Sequence, residues 1–358
     1  MITTHSLPAF SQNIKTAVTI GTFDGVHLGH QRIIEQLVAK AKDLGVPSVV
    51  LTFFPHPRMV LQQDSSIKML QSLEERAQKL AALGVDYLVI HPFTKEFSRM
   101  HAQDFVSEIL VQGLHAKTIL IGYDHRFGRN RSANIEDLKK YGLRHDFEVS
   151  EISAREIDAI TVSSTKIRKA LASGDIEKAN SYLGHQYTLC GGVGSGKKIG
   201  REIGFPTANI SVDFKQKMIP KTGVYIVKTI WKDKEVFGML NIGQNPTVKH
   251  IQETAQTVTQ AKDQGSTQGT TQGPTQGTTQ GSAAKTPQAA SNLANQPESD
   301  NLKIEAHLFD FSEDLYGQKI QLAFLKRLRA EEKFSSLEAL KKQLAVDKQN
   351  ALTYIKQL

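Results

Sequence analysis

Gly21–His30, GTFDGVHLGH, is the stretch whose reading decides the fold. It follows a β-branched run, Ala17-Val18-Thr19-Ile20, which reads as a buried strand. It precedes Gln31–Lys40, where Ile33, Ile34, Leu37 and Val38 recur at helical spacing. The ten residues are therefore a strand-to-helix turn. Gly21 and Gly25 permit tight backbone and close ligand approach. A helix starting near Leu28 or Gly29 offers free N–H groups and a positive dipole end to an anion. His27 and His30 stand three apart and can face one ligand across the first turn. Two such rings can donate hydrogen bonds to a phosphate as it gains charge, which suits nucleotidyl transfer.

Outward from this turn, strand and helix signals alternate. Strands are expected at 47–54, 86–91, 117–122 and 146–152, and helices at 72–83, 103–114, 134–143 and from Ser164. Ser72 with Glu75 forms a capping-box pattern, and Asn134 is placed to cap a helix. Such alternation predicts an α/β domain with a doubly wound parallel sheet. Ligands bind these sheets beyond the carboxyl ends of the strands. Three more segments fall there: TFFPHPR with His56, GYDHRFGR with Asp124 and Phe127, and SSTKIR with Ser164, Thr165 and Arg168.

The period changes after a linking helix at about 175–184. Short strands are expected at 187–193, 223–231, 236–242, 302–309 and 320–325, which together read as a small antiparallel β-barrel. Helices follow at 335–344 and 352–358, the first with a Ser335/Glu338 capping pattern. Gly191–Lys198, GGVGSGKK, imitates a phosphate-binding P-loop but has Lys198 where Ser or Thr should hold a cation, and no apolar helix follows. It reads instead as a Gly-rich hairpin. In Gly204–Ile210, GFPTANI, Thr207 and Asn209 alternate along an extended segment, and their oxygens suit Mg²⁺ bound to nucleotide. Glu305, within KIEAHL, is either a solvated strand residue or a base for an attacking hydroxyl.

The resemblance carried by these motifs covers nearly the whole chain. Residues 15–184, through GTFDGVHLGH, TFFPHP, GYDHRFG and VSSTKIR, resemble the adenylyltransferase module of the bacterial bifunctional riboflavin kinase/FMN adenylyltransferase (FAD synthetase) family. Residues 184–248 and 302–345, through GREIGFPTANI, TGVYIV, GMLNIGQNPTV, IEAHLFDF, DLYG and FLKRLRAEEKF, resemble its riboflavin kinase module. The resemblance implies an FMN adenylyltransferase domain at 15–174, a linking helix at 175–184 and a kinase domain at 185–358. It implies ATP as co-substrate, Mg²⁺, riboflavin and FMN as substrates, and FMN and FAD as products. His27 and His30 would meet the ATP phosphates. Gly21, Phe23, Asp24, His56, Asp124, Phe127, Ser164, Thr165 and Arg168 would bind ATP or flavin nucleotide. Gly204, Pro206, Thr207 and Asn209 would hold kinase ATP, with Thr207 and Asn209 assisting Mg²⁺, and Glu305 would activate the ribityl hydroxyl. The alternatives are a kinase whose first module is inactive or uses another nucleotide, and a flavin- or nucleic-acid-binding regulator.

Composition bounds the rest. With 358 residues two domains are expected. A net charge of +8 without a Lys/Arg block suits phosphate ligands and gives no nucleic-acid arm. Cys190 is the sole cysteine, so intramolecular disulfides and cysteine-based metal sites are excluded. No 18-residue apolar run or signal-peptide pattern is found, so no membrane partner and a cytoplasmic location are expected, with homo-oligomerisation left open. The segment at about 250–300 departs from the family pattern: STQG-TTQG-PTQG-TTQG runs from Ser266 to Gly281. Its composition cannot bury enough apolar surface to offset chain entropy, so a disordered insert is expected.

Overall fold

The computed structural model describes residues 1–7, 14–62, 67–123, 125–152, 162–194, 200, 203–243 and 302–358. Asp124, the 195–198 part of the GGVGSGKK segment and the whole 250–300 insert lie outside the described residues.

The first half begins with β1 (Ile2–Thr4), β2 (Thr16–Ile20), α1 (Leu28–Leu44), β3 (Ser48–Phe54), a short α2 (Pro57–Leu61), α3 (Leu73–Ala82) and β4 (Tyr87–Pro92). It continues through α4 (Ala102–Asp104), a π-helical run over Phe105–Gly113, β5 (Ala116–Gly122), α5 (Ile135–His145) and β6 (Glu148–Ile152). The six strands lie in the order β1-β4-β3-β2-β5-β6, and all pairs are parallel. The chain winds one way from β2 to β3 and the other way from β5 to β6. The crevice at the carboxyl ends of β2 and β5 is therefore the topological switch point, where such sheets bind ligands. GTFDGVHLGH leaves β2 at that point.

Local chemistry explains the element ends. Ser72 and Glu75 close a reciprocal capping box on α3, and Asn134 with Asp137 closes another on α5. The expected 103–114 helix takes π geometry for most of its length. Its buried side chains, Phe105, Val106, Ile109 and Leu110, recur every four to five residues, which matches the wider turn. The edge strand β1 was not anticipated. Its three residues, ITT, are too few to show a period, and they pair with β4.

Two helices, α6 (Ser164–Ser173) and α7 (Ile176–Leu183), lead to the second half. There β7 (Thr188–Gly194), β8 (Ala208–Val212), β9 (Gly223–Trp231), β10 (Lys234–Gly243), β11 (Lys303–Leu308) and β12 (Lys319–Arg329) close an antiparallel barrel in the order β10-β11-β8-β7-β12-β9. Gly191–Gly194, the start of the false P-loop, form the end of β7. Gly243 pairs with Lys303, so the ends flanking the insert are neighbouring ladder partners. The barrel interior, including Leu189, Tyr225, Leu240, Ile304, Ala306 and Phe324, forms one apolar cluster with Ile167, Leu171, Ile176 and Leu183 of α6 and α7.

The C-terminus corrects one expectation. In place of two helices there is one, α8 (Leu337–Ile355), capped by Ser336 rather than Ser335. The helix runs through the 345–351 stretch that separates the two expected helices. Asp347 is buried and accepts a two-pronged contact from Arg329 at 2.8–3.0 Å, with Gln343 donating at 2.9 Å. A buried, fully paired anion is compatible with a continuous helix packed on the barrel.

Candidate active sites

The first site is assembled by Asp24. Gly25 has a φ of +91°, and a Cβ there would lie 2.7 Å from Leu70, so glycine is required for the turn to close against that residue. Asp24 is 1% exposed. Its carboxylate accepts the N–H groups of Leu70 and Gln71 at 3.0–3.2 Å and a guanidinium N–H of Arg168 at 2.5 Å. Arg76 lies 3.7 Å away. Ser164 Oγ donates to the Asp24 carbonyl at 3.0 Å, which ties the start of α6 to the GTFDG turn. Asp24 thus serves as the anchor that holds Arg168 and Arg76, and its lone pairs are committed within the protein.

His27 caps α1: its Nδ1 accepts the His30 backbone N–H at 3.3 Å. That bond assigns the proton of the neutral ring to Nε2, which is left to donate. The His27 and His30 rings stack with centroids 3.6 Å apart, and Phe23 meets His30 edge-on at 5.1 Å. The His30 Nδ1 is buried without a hydrogen-bond partner among the described residues. Burial holds the His27 imidazolium down to about 4, with Asp24 opposing the shift. Burial, His27 and Arg76 hold His30 well below the ordinary histidine value. His56 caps α2 and is also lowered to about 4, mainly by burial, in the combined field of Asp24, Arg168 and Arg76. The lowered values keep all three rings neutral at pH 7.

A group whose folded pKa is depressed contributes stability that is full above its unfolded value and lost as pH falls through its folded value. For His27 that window runs from about 6.5 down to about 4. The implied loss is roughly 3 kcal/mol. Urea midpoints should therefore fall less between pH 7 and pH 4.5 in His27→Asn than in the parent. Equal falls would show that His27 is not held neutral.

Other expected residues occupy different places. Thr165 is exposed on the first turn of α6, beside the buried anchor. Gly21 packs against the Phe23 ring. Phe127 is 8% exposed and sits in an apolar cluster with Phe105, their rings 5.9 Å apart, so most of it supports the wall. Arg76 is not among the expected site residues; it lies in the helix expected at 72–83. The available signal was spacing, since Leu73, Arg76, Ala77 and Leu80 share one stripe, and an arginine on an apolar stripe must find a buried partner.

The second site lies on the barrel. Along β11, Ile304, Ala306 and Leu308 point into the core, so Glu305 and His307 point outward. Glu305 is paired directly with Asn209 of β8 on one side and Asn241 of β10 on the other. The three polar side chains therefore line up across three strands. A Cβ on Gly243 would fall 2.1 Å from a Glu331 carboxylate oxygen, so the glycine admits a second acid beside this row. His307 Nδ1 contacts the Pro206 carbonyl at 2.8 Å, which fixes the segment leading into β8. Pro206 and Thr207 line a cavity of about 250 Å³ with Val193, Leu308, Glu313 and Tyr316. Asn209 and Glu305 do not line it. Gly204, at φ +85°, makes the turn before that segment.

Comparison with known proteins follows this division. Residues 9–166 match the family model for FAD synthetase, and residues 183–270 and 259–355 match that for riboflavin kinase. A Listeria monocytogenes protein named bifunctional riboflavin kinase/FMN adenylyltransferase is 34% identical over 347 residues, 97% of this chain and 94% of its own. The Escherichia coli protein of the same name is 32% identical over 93% of this chain and 91% of its own. A crystal structure described as a macrolide-efflux protein from Streptococcus pneumoniae shares the fold with a TM-score of 0.75 at 27% identity, covering 97% of both chains. Among the described residues no helix is long and apolar enough to cross a membrane. Both modules are present in order along one chain, and it belongs to the bifunctional riboflavin kinase/FMN adenylyltransferase family.

Proposed function

We infer that this chain makes FAD from riboflavin in two ATP-dependent steps, one on each module. The pairing of both family models with relatives that span nearly the whole chain carries this reading over a kinase-only one. The adenylyltransferase is assigned to 15–174 and the kinase to 185–358, joined through 175–184. In the kinase step the ribityl 5′-hydroxyl attacks the γ-phosphorus of ATP, its proton passes to Glu305, and ADP leaves. In the second step a phosphate oxygen of FMN attacks the α-phosphorus of another ATP, and pyrophosphate leaves. A phosphate monoester is already largely ionised at pH 7, with a second pKa of about 6, so this step needs no base. It needs donors aimed at the α-phosphate, and His27, His30, Arg168 and the N–H groups at the start of α1 fill that role. Gly21, Phe23, His56, Phe127, Ser164 and Thr165 complete the nucleotide and flavin pocket around the Asp24 anchor.

Mg²⁺ belongs to the kinase site in this reading. Asn209 and Thr207 offer hard, neutral oxygen donors, and Asn209 is a direct strand partner of Glu305. When bound, the cation neutralises charge on the nucleotide phosphates. Gly204 and Pro206 shape the turn that sets those donors. We assign the protein to the cytoplasm, acting on small molecules alone. Purified protein given riboflavin and MgATP should accumulate FMN and then FAD, resolved by flavin chromatography. FMN without FAD would instead support an inactive first module.

A further inference from the structure

A buried ion pair joins the modules. Glu75 of α3 and Lys217, from the loop after β8, meet at 2.6 Å and are 7% and 3% exposed. Lys217 Nζ also donates to the Leu70 carbonyl at 3.0 Å. Beside it, Met69 N–H donates to Gln216 O at 2.7 Å and Met218 N–H to Met69 O at 2.8 Å. The second module therefore grips one edge of the segment Lys68–Gln71.

The other edge of that segment is the first active site. Leu70 and Gln71 N–H groups bind the Asp24 carboxylate, and Arg168 Nε donates to the Lys68 carbonyl at 2.7 Å. Consecutive residues of α3 divide the same way: Glu75 turns to Lys217, and Arg76 to Asp24. An apolar contact would hold two domains together at least as well as a buried ion pair. A charged contact at this place adds a fixed position for α3 and for the segment carrying the Asp24 donors.

We propose that Lys217, although part of the kinase module, is a positioning residue for FMN adenylylation. It acts through Leu70 and Glu75 on Asp24, and through Asp24 on Arg168 and Arg76. The first module's site is complete only with the second module docked. This rests on the assignment of FAD formation to the first module, and FAD formation by the parent protein checks that assignment before any variant is compared.

The test is Lys217→Met together with Glu75→Gln/Lys217→Met in the full chain. The single variant should lower kcat/KM for FAD formation from FMN by on the order of 10- to 100-fold, the scale of small misplacements, with riboflavin phosphorylation unchanged within about twofold. It also leaves the Glu75 carboxylate buried without a counter-charge, held only by the Ser72 N–H and by Thr188 and Cys190, so its Tm should fall. The double variant removes that carboxylate charge and should regain Tm. It lacks the Lys217 contact to Leu70, so FAD formation should stay low. Recovery of FAD formation along with Tm in the double variant would overturn the proposal and leave a purely structural pair. Parental FAD formation in the single variant would overturn it as well.

Discussion

Glu305→Gln should cut riboflavin phosphorylation by about 100- to 10,000-fold, the range for loss of a general base. FAD formation from supplied FMN should persist at the parental rate. Glutamine keeps the size and shape of the side chain and one acceptor oxygen, and it exchanges the other oxygen for an NH₂ group, removing the charge and the ability to take a proton. The strand should hold its place, because register is set by Ile304, Ala306 and Leu308 inside the barrel and by ladder pairing to Asn209 and Asn241. A loss confined to FMN production therefore reports chemistry and not folding. Initial rates of FMN and FAD appearance in the same preparation provide the measurement. A variant that phosphorylates riboflavin normally would return Glu305 to a solvated strand face and shift attention to Glu331, the neighbouring carboxylate at Gly243.

The sequence shows the two kinds of site unequally. The first depends on a strand-to-helix turn, where residue type and position carry the information together. Gly25 and His27 could be read because a tight turn calls for glycine and the start of a helix is a local signal, although the capping role of His27 shows only in the fold. The doubly wound sheet could be read because parallel strands are buried on both faces and show as apolar runs. The barrel site is non-local. Nothing in KIEAHL says that Glu305 stands opposite Asn209, 96 positions earlier in the chain; only strand register brings them together. The motif resemblance supplied that residue; the strand pattern by itself leans to a solvated face.

What stayed hidden has a common physical cause. Arg76, Glu75, Lys217 and Asp347 are charged residues that the fold buries with partners distant in sequence. Charge on a helix or in a loop normally means solvent, so nothing local marks these four as buried. Burial of a charge without a partner is too costly to persist. A charged residue on an apolar stripe is therefore a sign of a tertiary ion pair, though its partner cannot be named from one sequence. Asp347 lies in the gap between the two helices expected at the C-terminus, and Glu75 makes a contact between modules in addition to its capping box.

His27→Asn should slow FAD formation by about 100- to 1,000-fold, the usual cost of losing one donor to a charge that develops in the transition state. Riboflavin phosphorylation should be unaffected. Asparagine is the informative choice because His27 has two roles. Its Nδ1 caps α1 by accepting the His30 N–H, and its Nε2 is the proposed donor to the α-phosphate. Asparagine is among the best N-cap residues, so the helix start survives while the reach of the ring is lost. His27→Ala removes both, and should add a stability loss of about 1 kcal/mol to the same rate defect. The stacked His30 ring, 3.6 Å away, cannot substitute, since its own place is set by the first turn of the helix. Steady-state rates with FMN and MgATP, read beside Tm for both variants, separate the two roles. If His27→Asn turned over FMN like the parent while His27→Ala did not, the histidine would be a helix cap and the α-phosphate donors would have to be sought in Arg168 and the α1 N–H groups.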